Sequence, residues 1–229
     1  MHGGCHCGYG LRKVDGVAGK IRRQRSQIAG AGNKIRMTNS AIFIDRDGTI
    51  SDEVGYVNHV SRYRVFPFSG EAIKLINVSP LKSVLVTNQA GVARGYFKEE
   101  VIGQVHSKLR EELGNHGAKL DAIYYCPHHP TVGEPPYRQE CNCRKPKPGL
   151  LHRAADDLSI NLQNSYMIGD RYSDVKLAHS VGARGVLVLT GYGRGEYEYQ
   201  RDQWTREPDY VAEDLLGAVK WILGEEAKD

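Results

Sequence analysis

The run Ala41-Ile42-Phe43-Ile44-Asp45-Arg46-Asp47-Gly48-Thr49 decides the fold. Four apolar, β-favouring residues stop abruptly at two carboxylates and a glycine, which reads as a buried strand ending in a turn. Side chains alternate along an extended chain, so Asp45 and Asp47 project one way while Arg46 projects elsewhere. Two carboxylates at a strand end suit a divalent metal, or a nucleophile beside an acid–base group. A plain turn with solvated acids is the competing reading, because D-x-D-G is common in loops.

Outward from this run the same grammar repeats. Apolar runs at 41–45, 83–87, 121–126, 164–169 and 185–189 alternate with segments of helical period at 69–78, 97–113, 148–158, 173–180 and 213–223. Ser69 and Ser173 read as N-caps and Pro148 as a first-turn proline. Strand, helix, strand in this rhythm predicts an α/β fold with a mostly parallel, Rossmann-like sheet. Ligands of such sheets sit beyond the carboxyl ends of the strands. Residues 51–68 read as a short hairpin or flap, too small for a cap domain, and residues 127–147 form a proline-rich loop too irregular for a helix.

The chain has 229 residues, 40% hydrophobic and 25% charged, which fits one globular domain with decorations. Its net charge of +4 is unevenly placed. Residues 1–37 carry eight basic side chains against Asp15, whereas the remainder is net −3. The Gly-rich basic segment 1–37 is therefore expected to be a disordered extension, and residues 38–229 the folded domain. Met37 would serve as a start in its own right. No run approaches the ~18 apolar residues of a membrane span, and no secretory core is evident, so the cytoplasm is the expected compartment.

The second strand ends in Thr87-Asn88-Gln89, a hydroxyl and two amides suited to anionic oxygens or to ordinary capping. The fourth ends in Gly169-Asp170-Arg171, with Asp174 following, and Arg144-Lys145 precedes a helix start where a phosphate would meet a cation and free N–H groups. Taken in order, hhhDxDGT, hhhhTN, a lysine before a helix and GDxxxD resemble the haloacid dehalogenase superfamily of phosphatases. The resemblance covers roughly residues 41–190 and implies a three-layer sandwich with phosphoryl transfer through an aspartate. It makes Asp45 the nucleophile and Asp47 the general acid and base. It gives Mg²⁺ to Asp45, the backbone carbonyl of Asp47 and Asp170, and the phosphoryl group to Thr87 and Lys145.

The cysteines include two tight C-x-C pairs, Cys5 with Cys7 and Cys141 with Cys143, and Cys126 stands upstream of the second. Cys126-Pro127-His128-His129 followed by Cys141-Asn142-Cys143 offers three thiolates and one imidazole, a closed tetrahedral Zn²⁺ site of structural type, with His128 and His129 as competitors and free thiols as the plain alternative. Its work would be to order the loop that ends in Arg144 and Lys145. Cys5, His6 and Cys7 are read as incidental. This loop, together with Asn88-Gln89-Ala90-Gly91-Val92-Ala93-Arg94-Gly95, resembles the D-glycero-D-manno-heptose 1,7-bisphosphate 7-phosphatases, with histidinol-phosphate phosphatases as the nearest alternative. That resemblance selects His128 as the ligand. It also implies that Glu53, Val54, Gly55 and Tyr56 line a sugar pocket with Thr87, Asn88, Gln89 and Ala90, while Arg144 and Arg171 hold phosphates. Relatives often carry Lys where Arg171 stands.

The implied partner is a small sugar bisphosphate and the implied state a monomer, without membrane or nucleic acid. A nucleic-acid-binding reading would need the basic charge in the folded part, which instead carries net −3.

Overall fold

A computed structural model describes residues 39–228. The basic extension and the Cys5-His6-Cys7 cluster lie outside the described residues. Six strands, β1 (Ala41–Ile44), β2 (Lys82–Asn88), β3 (Ala122–Cys126), β4 (Tyr166–Gly169), β5 (Arg184–Val188) and β6 (Tyr210–Ala212), form one sheet in the order β3-β2-β1-β4-β5-β6. Every pairing is parallel.

The helices are α1 (Ser69–Asn77), α2 (Glu100–Asn115), α3 (Gly149–Leu158), α4 (Tyr172–Ser180), α5 (Gly193–Tyr199) and α6 (Leu215–Glu226). The period-2 alternation of β1 splits the core into two faces. Ile42 and Ile44 pack with Ile73 and Ile76 of α1, Leu109 of α2 and Val219 of α6. Ala41 and Phe43 pack on the other side with Leu150 and Leu151 of α3 and Leu177 of α4. The result is the expected three-layer sandwich. Because both faces of β1 are covered, all four of its residues are buried, and the strand reads as a continuous apolar run.

The five expected strands and five expected helices are present, with end shifts of a few residues. β6 and α5 are additional. Ser69 and Ser173 are not caps: the N-cap positions fall on Phe68 and Arg171, and Ser69 Oγ instead donates to the Ile50 carbonyl at 2.8 Å. Pro148 occupies the N-cap position of α3, one residue before its first turn. The hairpin reading of 51–68 reduces to one isolated antiparallel bridge, Ser51 to Val65, and a 3₁₀ turn at Val60–Arg62, so the segment is a flap. Among the described residues no helix is long and apolar enough to cross a membrane.

Candidate active site

β1 and β4 lie side by side at the centre of the sheet, flanked by β2 and β5, so their carboxyl ends converge. There a cavity of about 370 Å³ is bordered by Asp45, Asp47, Thr87, Asn88, Arg144, Lys145, Asp170, Arg171, Asp174 and Tyr192, with Glu53, Gly55, Tyr56, Ala90 and Ser173 completing its wall. The residues singled out in sequence for catalysis and substrate binding therefore meet in space, with two exceptions. Val54 faces a neighbouring depression shared with Asp52, Phe66 and Gly191. Gln89 is turned inward, where its Nε2 donates to Asp47 Oδ2 and Thr87 Oγ1, each at 3.0 Å.

The chain can reach this arrangement because of two glycines. Gly48 (φ +80°) turns the backbone away from β1 in a conformation that L side chains rarely adopt, and its carbonyl accepts from Thr190 Oγ1 at 2.6 Å. A Cβ at Gly48 or at Gly191 would run into the Asp170 carboxylate. Asp170 is thus seated in a cradle made of bare backbone, and its Oδ2 accepts from the Tyr192 N–H at 2.9 Å.

Lys145 is buried with its Nζ 2.8 Å from both Asp45 Oδ1 and Asp174 Oδ1. Burial alone would lower the ammonium, but the charges of Asp174 and Asp45 outweigh it and hold it above its ordinary value. One cation faces three acids. The carboxylate oxygens of Asp45, Asp170 and Asp174 lie within 4.8 Å of one another. Burial and then the Asp45 charge push Asp170 up to about 8, and burial pushes Asp174 up to about 6 against the opposing Lys145 charge. This oxygen-only, under-neutralised donor set fits a hard divalent cation. Asp174 was visible in the sequence only as a further carboxylate; its place beside Lys145 makes it part of the site.

Lys145 is held by its backbone as well. Asn88 Nδ2 donates to the Lys145 carbonyl at 3.1 Å, and Asn88 Oδ1 accepts from the Lys145 N–H at 3.0 Å. Arg144 Nη1 donates to the His128 carbonyl at 3.3 Å. The Arg171 guanidinium carbon sits over the Tyr192 ring, 3.8 Å from its centroid, and Arg171 pairs with Glu196 at 3.6 Å. Tyr192 and Glu196 carried no signal in the sequence, since both come from the additional turn and helix after β5. Arg46 does not simply point away from the two acids: its Nε and Nη2 donate to Asp47 Oδ1 and Oδ2 at 3.0 and 2.8 Å.

Cys126, His128, Cys141 and Cys143 form a second cluster, clear of the cavity, whose ligand atoms all lie within 4.8 Å of one another. The separations are 3.6 Å for Cys126 Sγ to Cys141 Sγ, 3.8 Å for Cys126 Sγ to His128 Nδ1 and 3.4 Å for Cys143 Sγ to His128 Nδ1. A tetrahedron with metal–sulfur bonds of ~2.3 Å and a metal–nitrogen bond of ~2.0 Å has edges of roughly 3.5–3.8 Å, so the set fits a metal ion and is too wide for a disulfide. His129 is occupied elsewhere: its Nδ1 accepts from the Thr131 and Val132 N–H groups, and its Nε2 meets Arg94 at 3.1 Å.

Comparison with known proteins gives the same picture. Residues 142–218 match the HAD-hydrolase-like family model. A D-glycero-beta-D-manno-heptose-1,7-bisphosphate 7-phosphatase from Pasteurella multocida is 39% identical over 80% of this chain and 97% of its own length. The D-glycero-D-manno-heptose-1,7-bisphosphate 7-phosphatase of Thermosynechococcus vestitus is 37% identical over 81% of this chain and 96% of its own length. Among solved structures, a D,D-heptose 1,7-bisphosphate phosphatase from B. bronchiseptica, complexed with magnesium and phosphate, superimposes with a TM-score of 0.71 at 32% identity, covering 81% of this chain and 99% of that one. The chain belongs to the heptose bisphosphate phosphatase family of HAD-like hydrolases.

Proposed function

We propose, from that membership, that the protein removes the C7 phosphate of D-glycero-D-manno-heptose 1,7-bisphosphate by way of a phosphoaspartate on Asp45. The observation that carries the chemistry is the buried Lys145 ammonium at 2.8 Å from Asp45, on the wall of a cavity that also presents Asp47.

Asp45 Oδ1 is anchored by Lys145 Nζ and by the Arg46 N–H at 2.7 Å, which leaves Oδ2 to attack phosphorus. As the new P–O bond forms, the bond from phosphorus to the C7 oxygen breaks, and Asp47 gives that oxygen its proton. In the second half Asp47 takes a proton from water. The oxygen of that water attacks the phosphoaspartate, releasing inorganic phosphate and restoring the Asp45 carboxylate. Splitting one displacement into two lowers each barrier. Lys145 and the Thr87 hydroxyl bind the phosphoryl oxygens, and most of the rate comes from placing charge around them.

Mg²⁺ would be held by Asp45, the Asp47 carbonyl and Asp170, with Asp174 beside it; when bound it neutralises charge on the phosphoryl group. The ion at Cys126, His128, Cys141 and Cys143 is read as structural Zn²⁺, since four protein ligands leave no open position. Its role is to fix the loop ending in Arg144 and Lys145. Thiols kept reduced for a metal suit the cytoplasm. Glu53, Gly55 and Tyr56 face the sugar, Ala90 and Asn88 close the wall beneath it, and Arg144 with Arg171 receives the distal phosphate, whose burial without a cation would be costly. The enzyme is read as a monomer with no membrane or nucleic-acid partner.

Phosphate release should be measured on both anomers of the heptose bisphosphate, fructose 1,6-bisphosphate and histidinol phosphate, with Mg²⁺ and with chelator. The expected result is Mg²⁺-dependent turnover with the highest kcat/KM on a heptose bisphosphate. A higher kcat/KM on histidinol phosphate would overturn the substrate, and undiminished turnover in chelator would overturn the mechanism.

A further inference from the structure

We propose that Arg46 is a positioning residue for Asp47 and that it leaves Oδ1 of that carboxylate as the oxygen through which the proton passes. The inference rests on the acid–base reading of Asp47. Arg46 is 1% exposed, although arginine is almost never fully buried without a partner. Its fork meets both oxygens of Asp47, Nε to Oδ1 at 3.0 Å and Nη2 to Oδ2 at 2.8 Å. Gln89 Nε2 adds a third donor, to Oδ2 at 3.0 Å. A carboxylate offers about four acceptor positions, two on each oxygen. The three donors fill both positions on Oδ2 and one on Oδ1. A single position on Oδ1 is left for the proton, and the carboxylate cannot rotate without breaking two charge-assisted bonds.

The fork is itself held from behind. Its Nη1 lies 3.5 Å from His106 Nε2, and its carbon lies 5.6 Å from the centre of the buried Tyr63 ring. Burial, and then the Arg46 charge, hold His106 well below its ordinary value, so the imidazole stays neutral and accepts. Its ring meets that of Tyr125 edge-on at 5.8 Å, and the Tyr125 hydroxyl donates to Glu99 at 2.9 Å. Arg46 is thereby fixed to the start of α2 and to β3, two elements that do not themselves enter the reaction. A lysine at position 46 would keep the charge but lose the planar two-point grip.

A salt bridge that merely supports the fold would make the same contacts, and the leaving group separates the two roles. A sugar alkoxide needs a proton as the P–O bond breaks, whereas a nitrophenolate departs without one. kcat/KM reports the steps up to that cleavage, so it should be measured for Arg46→Lys on heptose bisphosphate and on p-nitrophenyl phosphate at the same Mg²⁺ concentration. General acid catalysis contributes roughly 10²–10⁴-fold. A misplaced acid should forfeit about tenfold or more of this on the sugar phosphate and less than about threefold on the aryl ester. Equal losses on both substrates, or no loss on either, would overturn the proposal. His106→Gln, which leaves the fork in place, is the second variant should Arg46→Lys not fold; it must show the same bias at smaller size, and equal losses there overturn the proposal as well. Asp47→Asn serves as the reference. If it shows no leaving-group bias, the acid role falls and takes this inference with it; if it shows the bias and the Arg46 and His106 variants do not, only the positioning role falls.

Discussion

The carboxylate cluster and the cysteine–histidine cluster are built on opposite plans. Asp45, Asp170 and Asp174 come from the ends of β1 and β4 and the first turn of α4; they border the cavity, and a single ammonium pairs with two of them, Asp45 and Asp174. Cys126, His128, Cys141 and Cys143 come from the end of β3 and an irregular loop, enclose their centre with four ligands and stay clear of the cavity. An incompletely coordinated, under-neutralised site can take in a substrate oxygen, while a closed one can only hold chain together. Lys145, two residues beyond Cys143, is where the closed site serves the open one.

The contrast breaks most sharply at Asp45. Asp45→Asn should cost about 10³-fold or more in phosphate release, since Asp45 is the side chain proposed to take up the phosphoryl group. Its thermal midpoint should be unchanged or raised, because one of three crowded acids loses its charge. A large loss of midpoint would mean that the open site also carries the fold.

The closed site should behave the other way round. Cys143→Ser removes one of four ligands; a loss of ~3 kcal/mol of metal-coupled stability would lower the midpoint by ~6–12 °C in a domain of this size. Metal content by mass should fall below one ion per chain, and activity should fall as Lys145 loses its support. An unchanged midpoint with undiminished metal would remove the structural role. Between the two lies Asn88, which grips the Lys145 backbone through both its amide atoms. Asn88→Ala removes two hydrogen bonds worth ~1 kcal/mol each, so kcat/KM should fall roughly tenfold to thirtyfold with metal content intact. A change in KM for the sugar without a change in kcat would reassign Asn88 to substrate binding.

What the sequence announced and what it withheld follow from the reach of each signal. β1 to β5 were legible because strands covered on both faces must be continuously apolar. β6 is three residues, Tyr210–Ala212, with an exposed tyrosine, and α5 reads Gly-Arg-Gly-Glu-Tyr-Glu-Tyr, so neither shows an apolar period. The cysteine spacing named its cluster outright, since few other purposes gather three thiols and an imidazole. It could not choose between His128 and His129, which only the folded loop separates: His128 Nδ1 comes within 3.4 and 3.8 Å of two thiol sulfurs, while Arg94 and two loop N–H groups occupy His129. Alternation along β1 predicted that Arg46 projects away from the two acids but said nothing of a long side chain folding back onto its neighbour, where its fork meets Asp47. Gln89 escaped for the same reason, because its backbone lies at the cavity edge while its amide turns inward to Asp47 and Thr87.

The smallest effect, and the most direct measure of how the open site differs from the closed one, is the pH dependence of stability without magnesium. Asp170 is raised to about 8 and Asp174 to about 6, both first by burial. An unfolded chain releases these protons near pH 4, at the ordinary aspartate value of ~3.9, whereas the folded protein retains them until about pH 6 and 8. The folded state therefore binds more protons across that window, and its stability falls as pH rises through it. Bound magnesium would favour the ionised carboxylates and flatten the slope, so a thermal midpoint followed from pH 6 to 8 should decline by a few degrees in magnesium-free buffer and stay level with the ion present. A metal at the thiolate site would be kept over this range, since its ligands bind in the deprotonated form that rising pH favours, and the titration of His106, held below its ordinary value, is common to both buffers; the difference between the two midpoints is what belongs to the carboxylates. A level midpoint in both buffers would mean that Lys145 already balances the three acids, and the open site would then be no more in need of a cation than any buried ion pair.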